Sequence, residues 1–92
     1  MRYSWWGYVK SMIKRYRLGK VTRRERAAVL AAIAQTYRLP YAADRLKLID
    51  AVFWRQTHTL AGAAMKIHVS ERTAQEWHRQ FIRMVATNFG LM

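Results

Sequence analysis

Cysteine is absent from the chain. That excludes a disulfide framework and any thiol chemistry. A metal could then be held only by histidines and carboxylates, and His58, His68 and His78 stand ten residues apart, which is not ligand spacing. No metal and no cofactor is expected. Proline occurs once, at Pro40, and glycine only four times. No segment alternates apolar with polar residues, so nothing reads as a strand. Acid is scarce too: five Asp and Glu in all. Asp44 and Asp50 fall on one expected helix at a spacing that puts them on different faces. A glycine-rich phosphate loop is missing. No Ser or Thr has a base and an orienting group that sequence would place beside it. An enzyme is therefore not expected. Every apolar run is shorter than a membrane span. The N-terminal "MRYSWWGYVKSMIKRY" lacks the apolar core and small-residue cleavage site of a signal peptide. A bacterial cytoplasm is the expected location, with no membrane partner.

What the chain has is positive charge. Seventeen Lys and Arg against five acids give a net charge of +12. Nucleic acid is the first partner such a charge suggests, and an anionic membrane surface the second. Ninety-two residues allow one small domain, or a domain with an N-terminal arm. A chain of this size buries only about 60–65% of its unfolded surface, so self-association could add useful burial.

The pattern is helical throughout, and the expected fold is all-α: a small bundle of about five helices ending in a helix-turn-helix. The first helix is expected from about Tyr3 to Tyr16. Trp5, Trp6, Val9, Met12, Ile13 and Tyr16 fall on one stripe. Core packing is the simplest use of that stripe. The Trp5, Trp6 and Val9 end could also meet a partner or a second copy, because adjacent tryptophans carry a large apolar area. Gly19 fits the left-handed residue that ends a helix. Thr22 and Glu25 have the spacing of a capping box for the second helix, with Val29, Leu30, Ile33 and Tyr37 as its expected buried stripe. Between Lys10 and Arg26 there are eight basic residues and one acid. This stretch is either a solvated face or a phosphate-contacting one, with Lys14, Arg15, Arg23 and Arg24 as the contacts in the second case. Pro40 suits the first turn of a third helix running to about Gln56. Leu46, Ile49, Val52 and Phe53 would face inward, with Leu48 beside them. The chain divides at this point into an expected helical pair, 1–40, and a helix-turn-helix unit, 41–92.

The stretch "LAGAAMKIHVSERTAQEWHRQF" carries the functional expectation. Thr59 caps a short fourth helix and Ser70 caps the fifth. Ala64 is small enough to let the two helices cross. Ile67 and Val69 can pin the turn from both sides. The middle turn position wants a residue tolerant of positive φ. That position holds His68 rather than glycine, and histidine visits the left-handed region more than most residues. Ala74, Trp77, Phe81, Met84 and Val85 form the buried face of the fifth helix. Glu71, Arg72, Gln75, Glu76 and Arg79 are left pointing outward, where a recognition helix meets base edges in the major groove. Arginine suits guanine, glutamine suits adenine, and glutamate can accept from cytosine. Ser70, Thr73, Lys66 and Arg83 are placed for the phosphate backbone. The plain alternative is an ordinary surface helix with a polar face.

Residues 44–86, "DRLKLIDAVFWRQTHTLAGAAMKIHVSERTAQEWHRQFIRMVA", resemble the DNA-binding end of phage-encoded transcriptional regulators of the RinA/ArpU type. Those regulators are similar in turn to the sigma-factor domain that reads the −35 promoter element. "HVSERTAQEWHRQFI" and "LIDAVFW" carry the likeness. The resemblance implies a phage or prophage activator of late genes, acting on the host nucleoid with RNA polymerase as a partner. It maps the base contacts to Glu71, Arg72, Gln75, Glu76 and Arg79. A second class stays open: a small terminase-like or architectural DNA-binding protein forming an oligomer, with Trp5 and Trp6 between subunits. A third is a membrane or partner-binding module built on the basic, aromatic first helix.

Overall fold

The computed structural model describes residues 4–92. The described chain is all-helical: α1 (Trp6–Tyr16), α2 (Arg23–Thr36), α3 (Ala42–Ile49), α4 (Leu60–Lys66) and α5 (Glu71–Phe89). Tyr3, the expected start of the first helix, lies outside the described residues. A π-helical turn, Asp50–Trp54, continues α3 directly.

Local chemistry sets most of the ends. Gly19 adopts φ 71° and closes α1, with Lys20 N–H donating to Arg15 O at 3.2 Å. A side chain there would be strained by the backbone alone. The Thr22–Glu25 capping box forms in full: Glu25 N–H donates to Thr22 Oγ1 at 3.1 Å, and Thr22 N–H donates to Glu25 Oε1 at 2.9 Å. The third helix departs from expectation at both ends. Pro40 stands before it rather than in its first turn, and Tyr41 holds the N-cap position at φ 60°. The regular helix then gives way at Asp50, where Arg55 N–H reaches back five residues to Asp50 O at 2.8 Å. In an α-helix neighbouring residues stand about 100° apart. The widened turn directs both Phe53 and Trp54 to one core: Phe53 is buried, and Trp54 Nε1 donates to Ile13 O at 2.9 Å.

Two apolar clusters result. The larger draws Val9, Met12 and Ile13 from α1, Ala28, Val29 and Ala32 from α2, Ile49 and Phe53, and Phe81, Ile82, Val85 and Ala86 from α5. The smaller holds Leu48, Ala51, Ala63, Ala64, Ala74 and Trp77. α5 belongs to both. The division expected at residue 40 falls in the α2–α3 turn, yet the larger core takes residues from each side of it.

The inner face of α2 is not the expected one. Val29 is buried, but Leu30 is 44% exposed and Tyr37 68% exposed, and Ile33 is half-buried. Glu25, Ala28, Ala32 and Thr36 turn inward in their place. Ala28 and Ala32 share the larger core with Ala86 of α5, and small side chains let helices approach closely. Leu46 and Val52 are half-buried rather than core, and so is Met84 on α5.

Candidate nucleic-acid interface

α4, a four-residue turn and α5 form the helix-turn-helix unit. Thr59 Oγ1 accepts from Gly62 N–H at 3.1 Å and starts α4. The helix ends with Val69 N–H donating to Ala64 O at 3.0 Å, across His68 at φ 60°. Histidine thus takes the left-handed position that glycine would fill at lower cost. Ser70 Oγ accepts from Thr73 N–H at 3.1 Å and starts α5. Ala63, Ala64, Ala74 and Trp77 lock the two helices together, with Leu60, Ile67 and Val69 packed around them.

The outer face of α5 is open. Glu71, Arg72, Gln75, Glu76 and Arg79 are all exposed, as are Arg83 and Lys66. Arg72 Nε and Glu76 Oε1 stand 4.0 Å apart across one turn, with the Arg72 side chain 90% exposed. A pair that exposed holds its partners weakly, so both stay available. Ser70 donates its hydroxyl to Thr73 Oγ1 at 2.9 Å. The Thr73 hydroxyl proton is left to donate elsewhere. Glu76, Arg79 and Arg83 continue into an open groove that α5 shares with Gln35 at the end of α2.

The four cations expected on phosphate separate into two kinds. Lys14 and Arg23 are exposed, and neither has a bonded partner among the described residues. Arg15 is committed to structure: its guanidinium lies 3.2 Å and 3.5 Å from the Glu25 carboxylate and donates to Lys20 O at 2.8 Å. Arg24 donates to Phe89 O at 2.8 Å and lies over the Phe89 ring at 4.6 Å. That bond ties Arg24 to the end of α5. Glu25 is buried, and Thr22 N–H, the Tyr8 hydroxyl at 2.6 Å and Arg15 hold its carboxyl at about 2. The Tyr8 phenol is raised in turn by its bond to that carboxylate. Of the expected partner surface, Trp5 and Trp6 stack at 6.0 Å and are half-buried against the larger core. Val9 is fully buried within the chain, so it cannot touch a partner.

Arg45 supports α5, and the sequence gives no local sign of it. It donates to Gln80 Oε1 at 2.6 Å and to Pro40 O at 2.8 Å, and lies 5.1 Å over the Trp77 ring. Tyr41 stacks on the same indole at 6.0 Å. Thirty-five residues separate Arg45 from Gln80, and no local pattern marks the pair. His78 lies parallel to Phe53 at 5.0 Å. Burial, with Lys10 and Arg79 nearby, lowers its imidazole to about 4, so it is neutral at neutral pH.

A cavity of about 490 Å³ separates α3 and the π-helical turn from α4. Asp44 and Asp50 both line it. The Asp50 carboxylate accepts from Arg55 at 2.8 Å. No three His, Asp or Glu among the described residues are grouped to hold a metal ion. Among the described residues no helix is long and apolar enough to cross a membrane.

Comparison with known protein families, curated proteins and solved structures returns no match for this chain.

Proposed function

We propose that the chain binds double-stranded DNA sequence-specifically through α4, the turn and α5, and acts by binding rather than catalysis. The observation that carries this is the division of α5. Ala74, Trp77 and Phe81 fix one side in the cores, while Glu71, Arg72, Gln75, Glu76 and Arg79 stand exposed on the other. Those are side chains that can pair with base edges. They project from a helix whose first turn is capped and offers free N–H groups and the Thr73 hydroxyl to phosphate. Lys66 at the end of α4 and the net charge of +12 favour the polyanion. The further step, to a phage or prophage transcription activator working with RNA polymerase on the nucleoid, rests on the sequence resemblance of residues 44–86.

Selection of bound sequences from a random duplex pool tests the reading. At about 150 mM salt, screening removes much of the non-specific attraction. A recovered motif is the expected result, and any symmetry in it reports the assembly. Binding without a motif would move the protein to packaging or architectural DNA binding. Absence of binding would end the nucleic-acid reading.

A further inference from the structure

The exposed stripe of α2 lies against two depressions that share Arg17 and Ile33. Together they form a trough along α2, from Gly19 and Arg26 at one end to Ala43 and Lys47 at the other, with volumes of about 440 and 390 Å³. Ile33, Tyr37 and Leu46 give it an apolar floor, beside Trp54. Leu30 stands one turn away on the same stripe, 44% exposed. This is the apolar face that the chain's own packing leaves uncovered, because Ala28 and Ala32 took the inside.

We propose that the trough docks an amphipathic helix of a partner protein, one whose polar face is acidic. An apolar floor of this form accepts side chains at i, i+3, i+4 and i+7 of a docked helix. The charges around it choose the rest. Arg17, Arg26 and Lys47 line it, with Arg17 lying over the Trp54 ring at 4.5 Å. The one acid in the lining, Asp50, is already bonded to Arg55. Unpaired charge in the trough is therefore all positive, and complementary potentials speed and select the encounter. A second copy of this chain is a poor fit, since each copy carries +12 and its five acids are scattered. Nucleic acid fits poorly as well. Strand binding stacks successive bases on several open aromatic rings; Arg17 covers the Trp54 face, which leaves Tyr37 as the one open ring on the floor. None of the lining residues comes from α4 or α5. Duplex and partner helix can then be held at once, and the proposal stands independently of the DNA reading.

The test uses the full chain and a labelled synthetic peptide of about four helical turns, with leucine on one face and glutamate on the other. A scrambled peptide of identical composition is the control. Fluorescence anisotropy at about 150 mM salt is expected to show the amphipathic peptide bound at least roughly ten-fold more tightly than the scramble. Leu30→Ser and Tyr37→Ser should each weaken it by about ten-fold, and Lys47→Glu should weaken it most at low salt. Circular dichroism confirms that each variant is folded, and duplex binding by the two serine variants, whose charge is that of the parent, should not change. Equal binding of the two peptides would overturn the proposal, as would no binding or no effect of Tyr37→Ser in a folded protein. Displacement by a single-stranded oligonucleotide with loss at the same variants would reassign the trough to nucleic acid. A dimer in sedimentation that Tyr37→Ser abolishes would reassign it to a second copy.

Discussion

The two cores are built from different materials. The larger packs Met12, Ile13, Phe53, Phe81, Ile82 and several valines from four parts of the chain. The smaller is four alanines, Leu48 and Trp77. Apolar burial stabilises in proportion to area, so the larger core carries the fold. In the smaller one Trp77 is the dominant side chain, and α4 rests on it. Small residues let α4 and α5 approach closely, but they contribute little area. The region proposed to read DNA is thus well aligned and weakly held, while the helical pair beside it is the stable support.

Replacing the central aromatic of each core breaks the comparison most directly. Phe53→Ala and Trp77→Ala should each cost about 3–5 kcal/mol in denaturant unfolding. The distribution should differ. Phe53→Ala should speed amide exchange in all five helices. Trp77→Ala should release α4 and the first turns of α5 while α1 and α2 stay protected. Equal exchange everywhere in Trp77→Ala would show that the smaller core is not separable.

Arg72→Ala and Gln75→Ala sharpen the contrast from the functional side. Each should cost about 1–3 kcal/mol in binding to a selected duplex and relax base preference. Their thermal stability should stay within about 0.5 kcal/mol of the parent, as for exposed sites generally. Unchanged affinity and selectivity in both would remove α5 as the reading element.

Arg23 and Arg24 separate surface charge from structure at adjacent positions. Arg24→Ala should cost about 1 kcal/mol by losing the Phe89 carbonyl bond. Arg23→Ala should leave stability unchanged and, combined with Lys14→Ala, reduce the salt slope of DNA binding. The reverse assignment in a melting and salt-titration series would show that the free and committed cations are exchanged.

The last contrast is a pH dependence at the stacked Phe53–His78 pair. The His78 imidazole is lowered from 6.5 to about 4. The unfolded chain therefore binds the proton more readily than the folded one between those values. Stability from this group is complete above pH 6.5 and declines as pH falls toward 4. His78→Gln should flatten stability across that window. A parent protein equally stable at both pH values would show that the imidazole is solvated.

Some of this was legible along the chain. The Thr22–Glu25 box, the Thr59 and Ser70 caps and the φ 60° at His68 all follow from neighbouring residues. The buried and open faces of α5 follow from spacing, because its apolar and charged residues separate cleanly. α2 was misread for a physical reason. Both of its sides are apolar at helical spacing, and close approach to α5 selected the alanines over Leu30 and Tyr37. The π-helical turn depends on Trp54 meeting Ile13, and Arg24 depends on Phe89. Such partners lie far off in sequence, so the free cations of the candidate site could not be told from the committed ones. The missing sequence signal for Arg45 has the same cause.

α5 runs nineteen residues, about 28 Å at 1.5 Å per residue, and its two halves serve different cores. The end proposed to read DNA is therefore not a cassette that could be cut out and grafted elsewhere. A fragment beginning at residue 41 would carry Phe81, Ile82, Val85 and Ala86 into water, stripped of the α1 and α2 side chains that cover them. A graft would have to move the whole rod together with its support. The smallest piece expected to fold is then the entire bundle rather than the motif within it.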